Sequence, residues 1–235
     1  MRYETPAPPA ELGERDGLAY SLWLPEGDPW AGVVILHGAG SCKESHHDYA
    51  RAARAAGLSA VCFDQRGHGA SGGELDGRAL ADVATIAGLL DGVPLAVRGS
   101  SMGGYLAILA AERLGARAVV AICAASADGL WRGLRSGELD FPADVPAVEE
   151  FLAEHPLETA VQRLHVPLLL LHAEGDERVP AAHSRELARR SPDPRTELVI
   201  VPGGHRRSVQ HDAELQGHSL RWLRRVIAEP AAPAG

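Results

Sequence analysis

Residues 94–114 read PLAVRGSSMGGYLAILAAERL: an apolar run closes on Gly99-Ser100-Ser101-Met102-Gly103, and a stretch with helical spacing follows at once. Strand, tight turn and helix in that order is the setting in which a G-x-S-x-G string exposes a serine hydroxyl. The turn is sharp enough to force Ser101 into a strained backbone conformation, while the flanking glycines keep strand and helix from colliding. Met102 then brings a backbone N–H with no partner inside the helix, placed to meet an oxygen that gains charge. Taken alone, the string is only suggestive, the alternative being a Gly-Ser turn of no function.

Around this unit the chain alternates. Apolar, β-branched runs at 19–24, 32–36, 59–63, 95–98, 118–123, 168–172 and 197–201 read as strands. Between them, 44–56, 80–90, 102–114, 148–164, 181–190 and 212–227 carry apolar residues at three- and four-residue spacing and read as helices. A run such as LLLL at 168–171 fits a strand covered on both faces. The expected fold class is therefore α/β, a doubly wound, mostly parallel sheet, with chemistry in the loops at the carboxyl ends of the strands. One domain over 1–235 is expected, with 229–235 (EPAAPAG) as a flexible tail.

Composition narrows the function classes. A hydrophobic content of 46% and a charged content of 23% suit a globular domain. The net charge of −8 disfavours nucleic acid as a partner. No apolar run approaches the ~20 residues of a bilayer span, so no membrane partner is expected. The first fifteen residues lack the apolar core of a secretory signal, so the expectation is a cytoplasmic protein. Cys42, Cys62 and Cys123 are far apart and suggest neither a disulfide framework nor a zinc cluster.

A serine hydroxyl needs a base, and the base needs an orienting group. Asp176 follows one apolar strand in HAEGDERVP and His205 follows the next in VIVPGGH. The order Ser101, Asp176, His205 is that of one known version of the Ser–His–Asp triad. Other candidates stand beside these: Ser100 in the same turn, Glu174 and Glu177 beside the acid, and His211 and His218 near the last helix. The string His46-His47-Asp48 lacks further ligands at metal spacing, so no metal is expected. Gly38-Ala39-Gly40, with Asp64 closing the following strand, resembles half of a dinucleotide fingerprint. Lys43, however, stands where the third glycine should be.

Taken together, GSSMGG, HGAG at 37–40, FDQRGHGASGG at 63–73, GDERVP at 175–180 and GGH at 203–205 resemble the α/β-hydrolase fold serine hydrolases. The resemblance covers residues from about 32 to 206, with the motifs in the family's order at the strand ends. It implies that Ser101 is the nucleophile, His205 the general base and Asp176 the acid. Ala39 and Met102 would supply the two oxyanion N–H groups. Arg66, His68 and Ser71 would hold the loop after the third strand. No cofactor is implied.

The interval 125–164 is longer than one crossover helix requires, and in the family a cap is inserted there. A small helical cap is expected, with Trp131, Leu134 and Phe141 as candidate substrate contacts. The partner would be a small-molecule acyl substrate, and the reaction hydrolysis of a carboxylic ester through an acyl-enzyme. Thioester hydrolysis and peptidase or acylaminoacyl-type cleavage remain alternatives on the same triad. A non-catalytic ligand-binding protein of the same fold is the alternative of another class. Oligomeric state leaves no trace in the sequence.

Overall fold

The computed structural model describes residues 6–204 and 209–228. The strands are β1 (Glu11–Arg15), β2 (Leu18–Trp23), β3 (Ala31–Leu36), β4 (Leu58–Phe63), β5 (Leu95–Ser100), β6 (Ala118–Ile122), β7 (Leu168–Ala173) and β8 (Glu197–Val201). The helices are α1 (His47–Ala55), α2 (Ala79–Ala87), α3 (Met102–Arg113), α4 (Ala127–Ser136), α5 (Val145–Glu154), α6 (Leu157–Arg163), α7 (Ala181–Arg190) and, last, α8 (Ala213–Ala228).

Among the described residues eight strands join one sheet, in the order β1-β2-β4-β3-β5-β6-β7-β8. The pairs from β4 to β8 are parallel, and β1/β2 and β2/β4 are antiparallel, so the sheet is mostly parallel as expected. The chain leaves β3 toward β4 on one side and returns as β5 on the other. This reversal opens a crevice beyond the carboxyl ends of β3 and β5, where the segments 37–40 and 99–102 begin.

Alternate residues of the strands serve two cores. Val34, Leu36, Val61 and Val97 pack with Val83 and Ile86 of α2, Tyr105 and Ile108 of α3, Leu157 of α6 and Leu187 of α7. Val33, Ile35, Cys62, Val120 and Ile122 pack on the opposite face with Tyr49 of α1 and Trp222, Leu223 and Val226 of α8. Both faces are covered, which is why the middle strands read as unbroken apolar runs.

Three differences from the sequence expectation have physical causes. Strand β1 was not expected because ELGER lacks apolar alternation; it is an edge strand with Leu12 69% exposed. Its signal was Asp16-Gly17, both at positive φ in the hairpin joining β1 to β2. The single helix expected over 148–164 is two, α5 and α6, because Pro156 between them disfavours helical angles at His155. Helix α4 lies in a stretch where the apolar spacing marks no helix. It forms between a Ser126 cap, whose Oγ accepts from the Gly129 N–H at 3.0 Å, and Gly137 in the left-handed region.

Candidate active site

Ser101 has φ 53° and ψ −116° and stands at the start of α3. Its backbone is held from three sides: its N–H donates to Ile122 O at 2.9 Å, and its carbonyl accepts from Tyr105 N at 3.0 Å and Ala125 N at 3.1 Å. These bonds stabilise a conformation that otherwise costs ~1–3 kcal/mol. The glycines have a steric reason. A methyl at Gly99 would lie 2.0 Å from Gly103 O, and one at Gly103 would lie 2.3 Å from Leu36 O. Ser100 points away from the turn, its Oγ donating to Gln210 Oε1 at 2.8 Å in a buried setting.

Ser101 lines a cavity of about 1110 Å³ together with Ala39, Leu130, Trp131, Leu139, Arg178 and His183, among others. The segment carrying Ala39 forms a turn closed by Ser41 N donating to Gly38 O at 3.1 Å, with Gly40 at φ 67°. His37 Nδ1 lies 2.8 Å from that same Gly38 oxygen, and Gln65 N donates to His37 Nε2 at 3.0 Å. Met102 is the first residue of α3 and is buried.

Asp176 lies beyond the end of β7, its side chain 2% exposed. Its Oδ1 accepts from Arg178 N at 2.9 Å and Val179 N at 3.0 Å, which fixes the carboxylate plane. The same turn is tied to the chain leaving β8: Glu174 N donates to Val201 O, and Gly175 N to Gly203 O, both at 2.8 Å. Glu177 and Arg178 line the cavity that Ser101 lines, so acid turn and serine turn border one space. Glu174 points elsewhere, to Arg185. His205 lies outside the described residues, as does the tail 229–235.

Of the residues expected to touch substrate, Trp131 lines the large cavity. Leu134 and Phe141 instead line a small apolar pocket behind Met102, among Tyr105, Val148 and Phe151. Leu130 and Leu139 border both spaces. His183, missed by the sequence reading, reaches the cavity from α7; burial lowers its pKa. Helix start signals could have placed α7 there, but no motif marked the side chain.

The other groups singled out in the sequence are engaged elsewhere. His46 meets Arg98 Nη1 through Nδ1 at 3.1 Å, His47 packs edge-on against Trp23, and Asp48 accepts from His211 at 2.8 Å. His218 lies 3.8 Å from Glu197. Asp64, the acid of the dinucleotide alternative, is buried and paired with Lys43 Nζ at 2.7 Å, which occupies the carboxylate a ribose would need. Ligand atoms of Cys123, His172 and Asp176 lie within 4.8 Å of one another. The two nitrogens of His172 already meet Ser184 Oγ at 2.6 Å and Val179 O at 2.8 Å, so that ring serves as an internal tie. Among the described residues no helix is long and apolar enough to cross a membrane.

Comparison with known proteins agrees with this architecture. The family described as "Serine aminopeptidase, S33" matches residues 27–153, more than half of the chain, including the segments at 37–40 and 99–103 but not positions 176 and 205. A monoacylglycerol lipase of Mycolicibacterium smegmatis is 27% identical, the match covering 79% of this chain and 84% of the lipase. Among solved structures, Est1E from Butyrivibrio proteoclasticus with bound ferulic acid superposes with a TM-score of 0.77 at 21% identity, covering 94% of this chain and all of that one. A monoacylglycerol lipase from Paleococcus ferrophilus gives a TM-score of 0.70 at 19% identity, covering 88% and 98%. These two likenesses show the fold.

Proposed function

We infer the reaction from the family to which this chain belongs, that of the serine aminopeptidases S33, enzymes with the α/β-hydrolase fold: the protein hydrolyses a carboxylic ester of a small acyl substrate. Ser101 attacks the carbonyl while His205 takes its proton, and Asp176 orients and stabilises the resulting imidazolium. The tetrahedral oxyanion is met by the N–H groups of Ala39 and Met102. Collapse expels the alcohol, which takes the proton from His205, and leaves an acyl group on Ser101. Water, activated by the same imidazole, then releases the acid.

The observation that carries this reading is the strained serine at the mouth of α3, lining a cavity with Ala39 and with the neighbours of Asp176. The tie from Gly175 to Gly203, two residues before His205, supports a meeting of acid and base at that edge. A relative named as a monoacylglycerol lipase favours an ester. The family's own description favours the second reading, cleavage of an aminoacyl bond; the cavity lining carries both signs of charge, Glu138 and Glu177 with Arg132, Arg135 and Arg178.

The test is Ser101→Ala. Hydrolysis of p-nitrophenyl esters should fall by about 10⁶-fold, and covalent labelling by a fluorophosphonate should vanish. Retention of either activity by folded, pure variant rejects the mechanism. Ranking acyl esters against aminoacyl anilides by kcat/KM decides between the two readings.

A further inference from the structure

We propose that His68 is a positioning residue for the oxyanion turn, anchoring the Gly40 amide and with it the place of the whole turn, Ala39 included, beside the serine site. The proposal rests on the serine mechanism above and adds to it a residue that touches neither substrate nor reacting atoms.

The bond from Ser41 N to Gly38 O closes the turn on itself but does not tie it to the rest of the fold. Turns closed by the same outer hydrogen bond differ by a flip of the central peptide, here Ala39–Gly40, and Gly40 at φ 67° marks one of the two forms. The N–H of that central peptide is taken by His68, the Gly40 nitrogen donating to Nε2 at 3.1 Å, which ties the turn to the segment after β4.

The partners of the ring fix its tautomer. Nδ1 lies 3.0 Å from Arg66 O, which can only accept, so Nδ1 carries the proton. Nε2 is then left as the acceptor that Gly40 requires. Burial holds the His68 pKa below its ordinary value, in keeping with a neutral ring. The ring is wedged between His37, centroids 4.9 Å apart, and Phe141, 4.2 Å apart, and is 5% exposed.

The surrounding ties show one purpose. His37 accepts from Gln65 N, Asp64 accepts from Lys43 N at 2.6 Å, and His68 accepts from Gly40 N. The segments 37–43 and 64–71 are thus fastened at three points, and His68 is the fastening within the turn itself. Phe141 joins that ring to the segment between β6 and β7, so packing of the segment bears on the turn.

Two substitutions separate the acceptor from the ring's bulk. His68→Asn keeps a donor near Arg66 but lacks the distal acceptor, whereas His68→Gln places an amide oxygen near Nε2. With a p-nitrophenyl ester, His68→Asn should lower kcat by about 10-fold or more, the ceiling being the ~10²–10³ lost with a whole oxyanion donor. KM should change by less than about 3-fold, and fluorophosphonate labelling should slow in parallel with kcat. His68→Gln should recover kcat to within about 3-fold of the parent.

Equal losses in the two variants, a loss confined to KM, or an unchanged kcat in His68→Asn overturns the proposal. A reading on the unaltered protein keeps the test decisive if His68→Asn does not fold: in ¹⁵N-histidine-labelled protein, His68 Nδ1 must be the protonated nitrogen, and the opposite tautomer refutes the assignment. Loss of activity in Ser101→Ala with a normal His68→Asn rejects His68 alone. Activity surviving in Ser101→Ala rejects the mechanism beneath it.

Discussion

Replacing Gly103 by alanine tests why the serine turn has its shape. The added methyl would lie 2.3 Å from Leu36 O and 2.6 Å from His37 O, where a carbon and a carbonyl oxygen in favourable contact lie about 3.3 Å apart. Both obstacles are main chain of β3 and its exit, so no rotamer change relieves them. Helix α3 must withdraw from the sheet by about 1 Å to restore ordinary contact. Overpacking a fitted interior costs roughly 1–3 kcal/mol, and rigid backbone opposite the methyl places this case at the upper end. For a chain of this length, about 3 kcal/mol lowers Tm by about 6–12 °C. Withdrawal also moves the Met102 N–H, and a 1 Å misplacement can cost about 10²-fold in turnover. Thermal melting and p-nitrophenyl ester kinetics read the two effects. Gly77→Ala is the control, because a methyl there meets nothing within 4 Å; its effect should stay within about 0.5 kcal/mol. A Gly103→Ala protein that melted within about 2 °C of the parent and kept its kcat would refute the steric account.

Lys43→Ala strands a buried carboxylate, since Asp64 has no exposed side-chain surface and loses its 2.7 Å partner. Chemical denaturation should show a loss of about 3–5 kcal/mol, and a smaller loss would mean that the amides of Lys43 and Ala70 carry Asp64 unaided. Stability should also depend on pH in the acid direction. Burial lowers the pKa of His47, His68 and His183 relative to the unfolded chain. Between each lowered value and about 6.5, the unfolded state binds protons that the folded state does not, so stability falls as pH falls. Melting temperatures should decline from pH 7 toward pH 5, less steeply in His68→Gln. A flat profile would contradict the burial of these rings.

Much of the fold was readable because burial on both sheet faces leaves apolar runs that few other settings need. Strands at 32–36, 59–63 and 118–123 lie within a residue of β3, β4 and β6. The serine turn was readable because its glycines form a short string at a strand–helix junction, although one of them, Gly103, answers to the main chain of β3. Strand β1 was not, since its pairing depends on β2 rather than on its own side chains. Nor was the division of 125–164 between two spaces: Trp131 and Phe141 are ten residues apart in one segment, yet one lines the cavity at Ser101 and the other stacks on His68. Periodicity assigns a face to a side chain, whereas which neighbour meets that face depends on how α4 and α5 pack.

The sequence by itself determined what must be satisfied locally: glycine where a Cβ would strike backbone, proline where a helix must break, and an apolar face wherever a strand is covered. Only the tertiary structure decided the partners of its polar groups. Arg98 reads as the last residue of a strand, yet it is buried over the Tyr49 ring at 3.8 Å and bonded to His46 and Gln210. His68 reads as part of a loop signature, yet its ring closes on an amide 28 residues earlier. Steric limits between chain neighbours, such as Gly99 against Gly103, leave a pattern in the sequence, whereas a hydrogen bond across the fold is specified only once the packing of the whole sheet has brought its two ends within 3 Å or so.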